Sequence, residues 1–409
     1  MPVFLKKIKK IIPSTIFLPA SKSESNRALI INALAKGDSI IENLSEARDT
    51  QIMLKLLGAD DKTLDVLDAG TTMRFLTAFF SVTNSNKILT GTERMRQRPI
   101  GILVDALKRI GVEIEYMEKD GFPPIEIKRF AGQITNEVAV SGETSSQFIS
   151  ALLMIAPVME KGLTITLTGK VASRPYIDMT LGIMKEFGVT ASWDGNIIRI
   201  SHQDYKPVSF GVAPDWSAAS YWYSIVALAE EAELHLPGLF ENSYQGDKVI
   251  AAIMEHLGVH TTYEPTGIVL SKKDHKQELS WDFSNCPDLA QTVAVTAAAK
   301  GITLKMTGIE SLRIKETDRV AALRKELGKI GTGLMEMSQG EWLVIPGAKG
   351  HIPESCNFET YEDHRMAMAF SPLAMVSNVN IQDHTVVRKS YPGFWKDLAV
   401  AGMEVTIIA

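Results

Sequence analysis

Between residues 21 and 27 the chain reads Ser-Lys-Ser-Glu-Ser-Asn-Arg, followed by Leu29, Ile30, Ala33 and Leu34 in an apolar stripe at helical spacing. Lys22 with Asn26, and Ser23 with Arg27, stand four residues apart, so each pair shares a helical face. Pro19-Ala20 ends a short apolar strand expected over 15–18, and small hydroxyl residues stand where a helix would start. Cations, hydroxyls and backbone N–H groups are thereby gathered at a positive helix end, the chemistry an oxyanion needs. No Gly-x4-Gly-Lys precedes the stretch, so it is not a nucleotide loop of the Walker kind.

Eight further stretches carry reactive residues. DAGTTMRF holds Gly70, Thr71 and Arg74, and RMRQRPIG puts Arg94, Arg96 and Arg98 on a loop closed by Pro99. SGETSSQF sets Ser145, Ser146 and Gln147 at a helix start, and SRPYID offers Ser173, Arg174 and Tyr176. In the second half, Asp288 of NCPDLAQ follows Pro287 at a helix entrance. RIKETDR carries Lys315, Glu316 and Arg319, EDHRMAM carries His364 and Arg365, and VRKSYP carries Arg388 and Lys389. Arginine grips carboxylate or phosphate through two parallel bonds, and lysine acts as a point charge. Asp288 and Glu316 are the acids at motif positions, and an acid among cations in a partly dry site suits proton transfer. Taken singly, each stretch also reads as a helix cap, a basic loop or a solvated face. Their recurrence at equivalent places is what gives them weight.

That recurrence is set by two interleaved series. A helical pattern ending in glycine appears at Gly58, Gly111, Gly188, Gly258, Gly331 and Gly402, where glycine suits a left-handed helix end. Small or polar residues open an Ala-rich helix at Ser23, Thr71, Ser146, Ser217, Asp288 and His364. Both series repeat at about 70–77 residues, with one shorter interval in the same place. The sequence therefore predicts six units, each with two helices and intervening strands. Hairpins are expected over 190–200 and 334–345. Between Gly58 and Asp68 there is no room for one, so the first unit is short by roughly 20 residues. Six equivalent helix openings could face one cleft, gathering several helix dipoles and about six cations.

A chain of 409 residues is too long for one core, and a Pro- and Gly-rich break over 205–214 falls near its midpoint. Composition is that of an ordinary α/β protein, with 45% hydrophobic and 22% charged residues. A net charge of −5 argues against a general nucleic-acid or membrane binder, so any anion site is a local cluster. Cys286 and Cys356 form neither a disulfide framework nor metal-ligand spacing and suit a reducing cytosol. The opening MPVFLKKIKKIIP has no apolar run of signal-peptide length, and no stretch is long enough to span a bilayer. With no metal cluster and no nucleotide fingerprint, the residues describe a transferase acting between two phosphorylated or carboxylated metabolites.

PASKSESNRAL, DAGTTMR, ERMRQRPIG, SSQFISALLM, RPYIDMTL, the Pro-Asp of NCPDLAQ, RIKETDR, DHRMAMAF and RKSYPGF run in order from residue 19 to residue 394. Together they resemble the 5-enolpyruvylshikimate-3-phosphate synthase family. The resemblance implies an α/β fold of two similar domains, each of three βαβαββ repeats, with the active site in the interdomain cleft. Residues 14–212 would form the shikimate 3-phosphate side, and residues 1–13 plus 213–409 the phosphoenolpyruvate and acid/base side. The implied reaction moves the enolpyruvyl group of phosphoenolpyruvate to the 5-hydroxyl of shikimate 3-phosphate by addition and elimination, releasing phosphate. It serves chorismate and aromatic amino acid biosynthesis, without cofactor or metal, in a cytoplasmic monomer.

By motif, the resemblance implies that Lys22, Ser23 and Arg27 hold the shikimate phosphate, with Lys22 also near phosphoenolpyruvate. Ser145, Ser146, Ser173 and Lys315 would complete the shikimate site, with Gln147 between the two substrates. Gly70, Arg98, Arg319, Arg365 and Lys389 match the phosphoenolpyruvate site, beside which glyphosate would fit. Asp288 matches the base at the 5-hydroxyl and Glu316 the acid that protonates the methylene carbon, with Lys22 beside them. Tyr176, Arg74 and His364 would support them. Three departures stand out: Asp68 where the family usually has Asn, Ser311 where many members have Asn, and the shortened first repeat. An extra negative charge at Asp68 would weaken anion binding unless it is paired. Two other readings compete. One is the sister transferase acting on UDP-N-acetylglucosamine, which commonly uses a loop cysteine as its acid; the other is a silent anion-binding scaffold.

Overall fold

A computed structural model describes residues 1–408 apart from 36, 38, 84 and 348–351. The chain forms two compact units, a continuous one of Ala20–Val212 and a discontinuous one of Met1–Pro19 with Ala213–Ala409. Residues 14–19 belong with the discontinuous unit rather than with the stretch that follows them. Ser14–Thr15 pairs there in parallel with Leu234–His235, a strand of two residues that starts one residue before the expected 15–18 and ends sooner.

One pattern repeats in both units. In the continuous unit, Thr63–Asp65 runs parallel to Lys87–Thr90, which pairs antiparallel with Ile125–Phe130, with Val112–Tyr116 at the edge. A helix lies in each crossover, Gly70–Val82 in the first and Gly101–Ile110 in the second. Strands within 137–200, 278–345 and 355–381 repeat this βαβαββ order. The last of these sheets is completed by Val405–Ile407 and, from the other end of the chain, by Val3–Leu5. Strands Glu233–Pro237, Val259–Glu264 and Gly267–Lys272 build the same sheet with Ser14–Thr15 as its first strand.

The remaining repeat is the short one. Helices Lys22–Leu34 and Arg48–Leu57 flank Ile40–Glu42, which pairs in parallel with Ser209–Gly211, and no hairpin follows. The glycines record the difference. Gly111, Gly188, Gly258, Gly331 and Gly402 all take positive φ, from 71° to 121°, where a side chain would be strained. Gly58 of the short repeat sits at −99°, because no strand has to turn back beside its helix.

The first helix of each repeat is the buried one. All of Trp216–Leu228 except Ser217 is buried, and so is Ala290–Lys300 up to Ala298. A helix covered on all sides needs small residues and paired hydroxyls. Ser224 meets Thr296 at 2.7 Å between these two helices, and Ala218, Ala219 and Ala294 let the backbones approach. Because the helices are buried lengthwise, their openings are the places where polar side chains collect. No helix among the described residues is long and apolar enough to cross a membrane.

Candidate active site

In the continuous unit, Ser21 caps helix Lys22–Leu34 by accepting from the Glu24 N–H at 3.4 Å. Lys22 is the first helical residue, and its ammonium pairs with Asp49 at 3.2 Å, both side chains being largely buried. Arg27, one turn beyond Ser23, faces inward. Its Nε donates to the Thr180 hydroxyl at 2.7 Å and its Nη1 to the Ser23 carbonyl at 3.0 Å. Its Nη2 donates to the Ser150 hydroxyl at 3.1 Å and the Tyr176 carbonyl at 3.3 Å. Burial lowers its pKa to about 10. Arg27 therefore knits helices Lys22–Leu34, Ser146–Ile155 and Arg174–Glu186 together.

Ser145 caps the next opening, Ser146 is buried behind it, and Gln147 donates to the Thr71 hydroxyl at 3.0 Å. Ser173 precedes helix Arg174–Glu186 in a left-handed conformation, φ 55°, uncommon for a residue other than glycine and a mark of functional sites. Helix Gly70–Val82 has no side-chain cap. Arg74 reaches back from it, donating to the Gly70 carbonyl at 3.1 Å and the Pro99 carbonyl at 2.8 Å, and so fixes the loop before Pro99.

That loop lays Arg98 over Gly70. A Cβ at Gly70 would come within 2.6–2.8 Å of the Arg98 Nη1, Nη2 and Cζ, so any side chain here would push the guanidinium aside. Arg98 is only 7% exposed, and its Nε has no hydrogen-bond partner among the described residues. A buried guanidinium without an acid, over an uncapped helix start, favours an anion. Arg96 of the same loop turns to the exposed Glu118 at 3.0 Å. Asp68 pairs with Arg48 at 2.6 Å, so the extra charge is compensated locally.

In the discontinuous unit the cations are matched by acids. Asp288 stands in the 3-10 turn Pro287–Leu289 that leads into helix Ala290–Lys300. One of its oxygens accepts from Arg319 Nη1 at 3.1 Å, the other from Arg365 Nη2 at 2.8 Å. Arg319 also donates to Glu316 at 2.9 Å and to Asp363 at 2.6 Å. Lys389 lies 3.5 Å from the other Glu316 oxygen. Burial pushes the Asp288 carboxyl up, but Arg365, Lys315 and Arg319 outweigh it and hold the group well below the usual carboxylate range. Burial likewise disfavours the charge on Arg319, and Asp363, Glu316 and Asp288 override it and keep it protonated. Lys315 follows the 3-10 turn Glu310–Ile314, which also carries the half-buried Ser311. His364 is buried 3.6 Å from Asp363.

Sequence reasoning missed Asp49 and Asp363. Asp363 caps helix His364–Phe370 through the Arg365 N–H at 2.8 Å, and the same carboxylate anchors Arg319. Both cysteines are buried, and burial pushes the Cys286 thiol up to about 12, unsuited to an acid. Among the described residues no group of three or more His, Cys, Asp or Glu is placed to hold a metal ion.

A family model for EPSP synthase (3-phosphoshikimate 1-carboxyvinyltransferase) matches residues 6–64 and 57–398. A 3-phosphoshikimate 1-carboxyvinyltransferase of Bacteroides fragilis (strain YCH46) is 49% identical over 400 residues, covering 97% of each chain. One of Pasteurella multocida (strain Pm70) is 37% identical over 94% of each chain. Among solved structures, an EPSP synthase of Acinetobacter baumannii superposes with a TM-score of 0.79 at 20% identity, over 99% of this chain and all of that one.

Proposed function

The chain belongs to the EPSP synthase family, and from that premise we propose how its residues carry out the reaction. The enzyme transfers the enolpyruvyl group of phosphoenolpyruvate to the 5-hydroxyl of shikimate 3-phosphate in the shikimate pathway. In the addition step the 5-hydroxyl oxygen bonds to C2 of phosphoenolpyruvate, and a proton is added at C3. In the elimination step a C3 proton returns to Glu316 as the C2–O bond to phosphate breaks, the phosphate oxygen keeping the bonding pair, and the vinyl group is restored.

Lys22, Ser23, Arg27, Ser145, Ser146, Gln147, Ser173 and Lys315 hold shikimate 3-phosphate. Lys22, Gly70, Arg98, Gln147, Arg319, Arg365 and Lys389 take phosphoenolpyruvate. Glu316 delivers the proton to C3 and Asp288 receives the hydroxyl proton. The observation that carries this assignment is the buried Asp288 carboxylate bridged by two guanidinium groups, one of which also holds Glu316. A carboxylate so held is a weak base. An arriving carboxylate or phosphate exchanges into the Arg319 and Arg365 donors and loosens that hold. The proton affinity of Asp288 and Glu316 then rises when substrate is present. Acid and base are activated by the anion they act on.

Phosphate release from phosphoenolpyruvate, with and without shikimate 3-phosphate, tests the reading. Release that requires both substrates is expected, and none with both would end it. We also propose that the enzyme acts in the cytoplasm as a monomer. Its two free cysteines are in keeping with a reducing compartment. Sedimentation as a dimer would overturn the monomer.

A further inference from the structure

Asp247 is a carboxylate of the discontinuous unit that the reaction above does not use. It lies in the 3-10 turn Gly246–Val249 and is 4% exposed. Its Oδ2 accepts from the Ser217 hydroxyl in the first turn of helix Trp216–Leu228. Its Oδ1 has no hydrogen-bond partner among the described residues. Gln245 pins the turn, its Nε2 donating to the Pro214 carbonyl and its Oε1 accepting from the Trp216 N–H, both at 2.8 Å.

The charges that act on Asp247 are those of the site. Asp288, Arg365 and Asp215 all interact with it, and it acts in turn on the Cys286 thiol. Arg365 also meets the Tyr221 hydroxyl at 3.4 Å, on the helix that carries Ser217. Other charges nearby point elsewhere. Lys248 of the same turn donates to the Glu241 and Ser243 carbonyls. The following helix, Ile250–Leu257, keeps Glu255 and His256 at its far end, where Glu255 pairs with Lys273.

We propose that Asp247 is a positioning residue whose charge, acting on the Asp288–Arg365 pair, sets how strongly that pair accepts the anion of phosphoenolpyruvate. This rests on the reading that the pair receives that substrate. A buried carboxylate oxygen with no donor is costly as an anion. Burial first, and then Asp288, push Asp247 up to about 7. Below that pH it is neutral, Arg365 faces less negative charge, and an incoming anion is held tightly. Above it Asp247 is ionised, opposes the incoming anion and makes Asp288 more basic. An acid with a raised folded pKa also makes the folded state bind more protons between about pH 4 and 7, so its contribution to stability falls as pH rises through that range.

The test is the KM for phosphoenolpyruvate between pH 6 and 8, at saturating shikimate 3-phosphate, in the wild type, Asp247→Asn and Ser217→Ala. Substrate phosphates titrate in the same range equally for all three, so ratios between proteins isolate Asp247. The wild-type to Asp247→Asn ratio should rise roughly three- to tenfold across the range, the effect of one nearby partly screened charge. Ser217→Ala removes the hydroxyl that stabilises the anion, so its rise should move to higher pH. Asp247→Asn should also gain more in Tm at pH 8 than at pH 5.5. A ratio that stays constant with pH in folded Asp247→Asn overturns the proposal. Should Asp247→Asn not fold, an unshifted rise in Ser217→Ala overturns it. A wild type inactive throughout the range overturns the parent reading instead.

Discussion

Arg98 and Arg319 are both buried guanidinium groups beside a helix opening, yet Arg319 is surrounded by Asp288, Glu316 and Asp363 while Arg98 pairs with no acid among the described residues. The two guanidinium groups are thus held in opposite conditions, although Lys22 of the continuous unit does have an acid, Asp49, beside it. In the continuous unit the free protein bears the cost of an uncompensated buried charge, and a ligand anion relieves it. In the discontinuous unit the charges are already neutralised, and a ligand anion has to displace carboxylates that then become reactive. The first arrangement serves affinity. The second couples binding to chemistry. A duplicated scaffold has kept the same openings and diverged in whether acids surround the buried guanidinium group.

The comparison breaks most visibly in turnover. Asp288→Asn and Glu316→Gln should each lower kcat roughly 10²–10⁴-fold, as for a positioned acid or base, with substrate binding largely kept. Phosphate release and equilibrium binding measured together check this, and near-normal turnover would remove either residue from its role. Next in size are paired stability measurements. Arg319→Met removes the guanidinium shared by three acids, leaving Asp363 with the least compensation, and should cost about 3–5 kcal/mol in denaturant unfolding. Arg98→Met should be neutral or stabilising by on the order of 1 kcal/mol, while the KM for phosphoenolpyruvate rises steeply. Losses of equal size would erase the contrast between the units.

Gly70→Ala sharpens the picture of the continuous unit. Its methyl group would occupy the place of the Arg98 guanidinium. The KM for phosphoenolpyruvate should rise on the order of tenfold, as when one charge-assisted hydrogen bond is lost, with little change in Tm. The smallest effect is expected at Asp68→Asn. Asp68 is held by a half-exposed Arg48, and such pairs contribute about 0–1 kcal/mol, so KM should shift less than about threefold.

Acid stability follows from Asp288. Its folded-state pKa is depressed, so its stabilising contribution is complete above the ordinary carboxylate range and is lost only as pH falls below it. Asp288→Asn should flatten the acid limb of the stability curve well below pH 4, which urea titrations at several pH values would show.

The sixfold plan was readable in sequence because it rests on local needs. A glycine that ends a helix with positive φ, and small residues that let a buried helix begin, are each specified within one turn. Gly58 carried the same letter without the same conformation, and the missing hairpin after it, legible from the short spacing between Gly58 and Asp68, is the reason. Lys22, Arg98 and Asp288 were legible through motif chemistry. Asp49 and Asp363 were not, because their importance lies in partners 27 and 44 residues away. Arg27 was read as a ligand contact, whereas four of its donors serve packing, a burden only the folded neighbourhood reveals.

Val3–Leu5 lies between Asn378–Ile381 and Val405–Ile407 in the last sheet. A ribosome therefore emits this strand long before its two partners. Ala20–Val212 can condense while translation continues, but Val3–Leu5 must stay unpaired, open to chaperones and to wrong neighbours, until Asn378–Ile381 and Val405–Ile407 have emerged.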